Sequence, residues 1–305
     1  MIKINFVDFW PGFIKTDNYF FNLLRTRYDI CIDEDNPDIL FFSVDYAKRR
    51  ERDRYKNSKC KKIFFTGENV RPNFDSEDSI EYKNYSIGKA DIAFTFDYSD
   101  DSRNYRFPLW AFYTNWFNRD YIPERDPAYL VDTRCFVKRQ NFSRKDHFCN
   151  FLFSNPSGER MKILSYIRKY SPVHCPGRLM NNCSPIGGRG DQIEKINFIS
   201  RFKFTIAAEN SQHDGYTTEK LIHPLSVGSI PIYWGSERVE EEFNEKSFIN
   251  ANKLSGHELL NKVIEIDQNY DLYHSMINEP IFNNNQIPSY VLPKNVLKYI
   301  EDSVL

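Results

Sequence analysis

The sequence is short of several things, and each shortage closes off a class of function. It has no run approaching eighteen apolar residues, so nothing in it reads as a membrane span. The opening "MIKINFVDFWPGF" is a brief apolar alternation without the apolar core and cleavage site of a signal peptide, so the expected location is the cytoplasm. Net charge is only −1, from 41 Lys plus Arg against 42 Asp plus Glu, so no overall field favours nucleic acid. There is no G-x-G-x-x-G and no P-loop, which argues against ordinary dinucleotide enzymes and kinases. Cys31, Cys60, Cys135, Cys149, Cys175 and Cys183 form no C-x-x-C pair, so all six read as reduced thiols and no zinc site is expected. Internal repeats and low-complexity tracts are missing as well.

What is present describes a globular α/β protein. The 305 residues suit two domains, with 41% hydrophobic and 27% charged residues. Aromatics reach 16%, mostly as the filling of a Phe-rich core. Apolar strands ("IKINFV", "DILFFS", "KKIFFTG", "ADIAFTFD") alternate with polar, helix-like segments, the pattern of parallel α/β layers. Residues 114–146 turn polar and carry Pro123 and Pro127, and a second alternating series starts at "HFCNFLFSN". The expected division is therefore 1–135, 136–280 and a helical tail over 281–305. Residues 48–62 hold nine Lys or Arg against two acids. They read as a solvated crossover helix, with peripheral contact to a membrane or a lipid-linked glycan as the alternative. Pro224 should break or kink the helix in "TTEKLIHPLSVG".

Ligands of parallel α/β sheets bind beyond the carboxyl ends of strands, near helix N-termini. Three polar clusters occupy that position: Glu68 and Asn69 in "FFTGEN", Arg160 in "FSNPSGER", and the stretch "ENSQHDGYTTEK" from Glu209 to Lys220. A helix starting near Thr218 would present free N–H groups and a positive dipole end to phosphate. Lys220 would add a point charge there, or is a solvated helix lysine. Glu219 could accept from a ribose diol, or is a first-turn acid favoured by the dipole. Asn210 and Tyr216 could be plain turn residues. His213 beside Asp214 suggests a dyad, though a surface turn is the stronger reading. Asp33 and Asp35 form a D-x-D in a short connection, better read as a turn than as a metal site.

The segment "FTIAAENSQHDGYTTEKLIHPLSVGSIPIYWGS" resembles the signature of the α-1,3/4-fucosyltransferases, glycosyltransferase family 10. The matching residues are Phe204, Glu209, Asn210, Ser211, Tyr216, Thr218, Glu219, Lys220, Gly228 and Pro231, without gaps. "FFTGENVRPNF" and "FSNPSGER" are similar to segments of the bacterial members. The membrane anchor of animal members and the terminal heptads of some bacterial ones have no counterpart here. The resemblance implies a GT-B fold: two Rossmann-like domains with parallel sheets facing across a cleft, the first mostly for acceptor and the second for GDP-fucose. It implies inverting transfer of L-fucose to the O3 of N-acetylglucosamine in N-acetyllactosamine-type acceptors, without a required cofactor. Glu68 would be the general base, and Arg160 and Lys220 would neutralise the diphosphate. Glu219 would bind ribose, and Asn210 and Tyr216 would contact the phosphate or fucose region. Glu209 would hold the fucose or orient the loop; Asn69 and Ser211 are further candidates. Rival readings are a transferase of another nucleotide sugar, O4 transfer to the Galβ1,3GlcNAc isomer, and a non-catalytic glycan- or nucleotide-binding module.

Overall fold

A computed structural model describes residues 1–44, 50–69, 86–117, 131–137, 142, 145–186 and 192–305. The chain divides into two compact units, Met1–Phe112 with Ser289–Leu305, and Tyr113–Pro288.

The first unit is built on a six-stranded sheet whose strands are β1 (Ile2–Val7), β2 (Ile30–Ile32), β3 (Ile39–Phe42), β4 (Lys61–Phe65), β5 (Ile92–Thr95) and β6 (Asn104–Arg106). Their order is β2-β1-β3-β4-β5-β6, with every pair parallel. A parallel sheet is covered on both faces, so its strands read as continuous apolar runs. The four residues "ILFF" of β3 and "IAFT" of β5 are accordingly all buried. The Phe-rich core expected from composition is here: Phe6, Phe20, Phe41, Phe65, Phe94 and Phe107 are nearly or wholly shut off from solvent. Phe6 stacks on Phe41 at 4.8 Å between ring centroids, and Phe20 stacks on Phe41 at 5.0 Å.

The second unit holds the parallel pair β7 (Thr114–Asn115) and β8 (Val131–Asp132), and a five-stranded sheet. That sheet comprises β9 (His147–Asn150), β10 (Val173–His174), β11 (Phe202–Ala208), β12 (Ile230–Trp234) and β13 (Ile249–Asn250), in the order β10-β9-β11-β12-β13 and again parallel throughout. At the amino end of this sheet Lys145, 8% exposed, donates to the carbonyls of Ser200 and Val227, each at 2.7 Å. These carbonyls close the helices Gln192–Ile199 and Glu219–Ser226. One ammonium thus satisfies orphan acceptors at the negative ends of two helix dipoles. Burial pushes the Lys145 pKa down, and both helices are fixed with their N-termini toward the opposite edge.

Three expectations differ from this architecture. The polar run after Phe112 does not end the first domain near 135; its described residues join the second unit. Val131 and Phe136 are buried, and Phe136 meets Phe282 edge-on at 5.1 Å. Pro123 and Pro127 lie outside the described residues. The closing helix Pro293–Val304 is no separate tail but part of the first unit. Tyr299 packs on Tyr105 at 4.8 Å, and Glu301 accepts from the Tyr28 hydroxyl at 2.7 Å. Among the described residues of the basic stretch, Glu51–Tyr55 form a short 3₁₀ turn and Lys61 and Lys62 open β4, while Lys48 and Arg49 fall outside the described residues. Within that turn Arg52 is buried rather than solvated. Asp8, at the end of β1, accepts from the N–H of Glu51 at 2.9 Å and from the Arg52 guanidinium at 3.1 Å.

Candidate active site

The carboxyl edge of the second sheet gathers two glutamates and two lysines in contact, Glu209, Glu219, Lys195 and Lys220. β11 ends at Ala208, and the Glu209 N–H donates to the Trp234 carbonyl of β12 at 2.8 Å, which extends the ladder by one bond. The chain then turns through Gly215, whose φ of +81° places it in the left-handed region that suits glycine. The Gly215 N–H donates to Ser236 Oγ at 2.9 Å. Thr218 caps the helix Glu219–Ser226, its hydroxyl accepting from the Lys220 N–H at 3.3 Å. The helix runs two residues past Pro224 before Gly228, at φ +68°, closes it. The proline therefore sits inside a short helix instead of ending it.

Glu209 is completely buried. Its Oε1 accepts from the Thr218 N–H at 2.8 Å and its Oε2 from the Thr218 hydroxyl at 2.8 Å. Lys220 Nζ stands 3.2 Å from the same Oε2. Burial pushes the Glu209 pKa up, against the opposing pull of Lys220 and Thr218. The carboxylate thus ties the strand end to the helix start. Gly235 leaves it room: a Cβ there would lie 2.6 Å from Glu209 Cγ and 2.5 Å from the Tyr233 hydroxyl, a clash with two buried groups.

Glu219 is the second carboxylate. Its Oε1 lies 3.5 Å from Lys220 Nζ and 3.6 Å from Lys195 Nζ. Burial works to raise its pKa, but the charges of Lys220, Lys195 and His223 outweigh that and hold it well below the usual carboxylate range. It stays ionised, an acceptor-only group at a helix N-terminus. Lys195 was missed in the sequence. It lies one turn before Ile199, which is 2% exposed, and that i, i+4 spacing puts the lysine on the inward face of its helix.

Arg160 follows β9 on the helix Gly158–Ile167 and is 1% exposed. Its Nε and Nη2 both donate to the Ala208 carbonyl, at 3.1 and 2.6 Å, and its Nη1 to the Asn155 carbonyl at 3.0 Å. The fork therefore braces the end of β11, with only the remainder of its donors left for an anion. Burial lowers its pKa, opposed by Glu209. Tyr216 is enclosed at 1% exposure, and its carbonyl accepts from the Tyr233 hydroxyl at 3.4 Å. Asn210 and Ser211 lie half-buried on the same edge. His213 Nδ1 pairs with the backbone carbonyl of Asp214 at 2.8 Å, not with its carboxylate, the geometry of a turn.

Glu68 and Asn69 belong to the first unit, half-buried just beyond the carboxyl end of β4. The Glu68 N–H donates to the Thr66 hydroxyl at 3.1 Å. Asp33 is a turn residue: it accepts from the N–H groups of Asp35 and Asn36 and pairs with Lys3 at 2.9 Å.

Residues 142–278 match the C-terminal model of glycosyltransferase family 10 (fucosyltransferase), and residues 4–113 match the N-terminal domain model of alpha-(1,3)-fucosyltransferase FucT. The chain belongs to glycosyltransferase family 10. This family member is 29% identical over 278 residues to alpha-(1,3)-fucosyltransferase FucT of Helicobacter pylori, covering 82% of the chain and 54% of that relative. It is 35% identical over 106 residues to alpha-(1,3)-fucosyltransferase B of Drosophila melanogaster, covering 34% of the chain and 24% of that relative. The chain thus spans about half or less of the length of these curated relatives. A solved structure of an α1,3-fucosyltransferase superposes with a TM-score of 0.74 at 23% identity, covering 99% of the chain and 90% of the other. That likeness establishes the fold, the GT-B pairing of two Rossmann-like units.

Proposed function

We propose that this chain is an inverting α-1,3-fucosyltransferase. It moves L-fucose from GDP-β-L-fucose to the O3 of N-acetylglucosamine in Galβ1,4GlcNAc-type acceptors and gives a Lewis X-type product. The observation that carries the reading is the placing of Lys220 and Glu219 on the first turn of a helix at a strand's carboxyl end. An ammonium at the positive end of a helix suits a diphosphate, and an ionised carboxylate next to it suits a ribose diol. The names of the Helicobacter pylori and Drosophila melanogaster relatives support the reaction, and a solved α1,3-fucosyltransferase with GDP-fucose supports the donor.

In this reading the acceptor O3 attacks the anomeric carbon of fucose as Glu68 takes its proton. The bond to the diphosphate breaks on the opposite side, and GDP leaves with the charge held by Lys220 and the remaining donors of Arg160. One displacement inverts the configuration, the logic of a single-base inverting glycosidase with a sugar hydroxyl in the place of water. Lys and Arg supply the charge stabilisation, so no metal is required. Among the described residues no helix is long and apolar enough to cross a membrane.

The test is a transfer assay with GDP-fucose, GDP-mannose and UDP-sugars against Galβ1,4GlcNAc and Galβ1,3GlcNAc, with linkage analysis of products and a chelator in a parallel series. Fucose on O3, transferred equally well with chelator present, is the expected outcome. Transfer from another donor, or activity abolished by chelation, would overturn the respective part. Lys220→Ala should raise the Kd for GDP by about ten- to a hundredfold, the worth of one charge-assisted contact. An unchanged affinity in calorimetry would remove Lys220 from the phosphate site.

A further inference from the structure

We infer that Lys195 is a positioning residue of the donor site: its ammonium shares Glu219 Oε1 with Lys220 and holds that carboxylate in place for the ribose hydroxyls of a guanosine diphosphate. The inference rests on the donor reading above and adds to it a residue on a different helix. Lys195 Nζ and Lys220 Nζ approach the same oxygen, at 3.6 and 3.5 Å, and the three side chains are only 15 to 21% exposed. Lys220 already serves Glu209 Oε2 at 3.2 Å. Two carboxylates therefore face two ammoniums, and the bonds overlap at Lys220. Without Lys195, Lys220 would be the one lysine among the described residues left to both acids and would be held from the diphosphate. With Lys195 on Glu219, Lys220 can turn toward an incoming phosphate while Glu219 remains ionised and fixed. The balance of charges agrees: burial lowers the Lys195 pKa while Glu219 opposes that, and Glu219 in turn is kept ionised by Lys220 and Lys195. Ordering a long lysine chain costs rotamer entropy, so its ion pair is informative where exposure is this low.

The plain alternative is a tether between the helices Gln192–Ile199 and Glu219–Ser226 with no bearing on ligand. Calorimetry of the full chain with GDP and with 2′-deoxy-GDP separates the two. Wild type should prefer GDP by about tenfold or more, the share of a hydrogen bond from a ribose hydroxyl to a carboxylate. Lys195→Ala should lose most of that preference, Lys195→Gln should behave likewise, and Lys195→Arg should keep it. In a Glu219→Gln background, Lys195→Ala should add almost nothing, because it acts through Glu219. A preference unchanged in Lys195→Ala or Lys195→Gln would leave only the tether. A full additional loss in the Glu219→Gln background would make Lys195 a direct phosphate contact and overturn the positioning role. Wild type that binds both nucleotides equally would overturn the inference and the ribose role of Glu219 while leaving GDP as the nucleotide bound, whereas wild type that binds neither would sink the whole donor reading.

Discussion

Glu68→Gln should lower kcat by about two to four orders of magnitude, the usual worth of a general base, while GDP binds as before. Glutamine keeps the size of the side chain and loses only the capacity to take a proton. The bond from the Glu68 N–H to the Thr66 hydroxyl is made by the backbone, so the substitution keeps it. GDP affinity should survive for a topological reason: Glu209, Thr218, Glu219 and Lys220 all lie in the other unit, on a sheet that Glu68 does not join. Single-turnover rates with saturating acceptor, set beside calorimetry with GDP, give both quantities. Turnover near that of the wild type would remove Glu68 from the chemistry.

Arg160→Ala should be costly in a different way. A residue that only met the diphosphate would weaken donor binding and leave folding alone. In the structure the guanidinium supplies two bonds to the buried Ala208 carbonyl and one to the Asn155 carbonyl. Removing it leaves the buried Ala208 carbonyl without both of those donors and lets the exposed Asn155 carbonyl turn to water, a loss of roughly 2–3 kcal/mol. For a unit of this size that is a fall in Tm on the order of 10 °C. GDP affinity should drop in parallel, since the same strand end leads directly into Glu209. Arg160→Lys should restore little, because an ammonium cannot reproduce the planar fork. Thermal unfolding that stays at the wild-type temperature, with GDP binding lost, would show that the bracing is unimportant and the ligand contact is everything.

The contrast between these two residues indicates what a sequence can disclose. Strand ends were legible because an apolar run such as "FKFTIAA" stops abruptly at Glu209, and position at the carboxyl edge follows from the α/β rule alone. The helix cap was legible because Thr218 precedes an acid and a lysine. The bond from Arg160 to Ala208 spans 48 residues of chain and depends on how one helix is docked on one strand, and neither charge nor spacing encodes that. Lys195 did leave a trace, a lysine one turn before an apolar position that faces the core, but the trace gains meaning only when Glu219 is found opposite. Glu209 had an undecided role in the sequence, between fucose and loop; what the sequence did not show is its set of contacts to Thr218 and Lys220. Domain limits were the least legible, because the polar composition after Phe112 concealed buried Val131 and Phe136, and because nothing in a terminal amphipathic helix states which sheet it will cover.

The return of residues 289–305 to the first unit has a consequence for how the protein is made. A ribosome delivers the six strands of the first sheet early, yet the helix that covers Phe94 and Tyr105 through Tyr299 emerges only after the entire second unit. The second unit, continuous in sequence, can close while translation is still in progress. The first must wait, with an aromatic face uncovered for the whole interval, and its last contacts are among the most distant in the chain. Order of completion is thus the reverse of order of synthesis: the unit whose strands are made first is the one closed last.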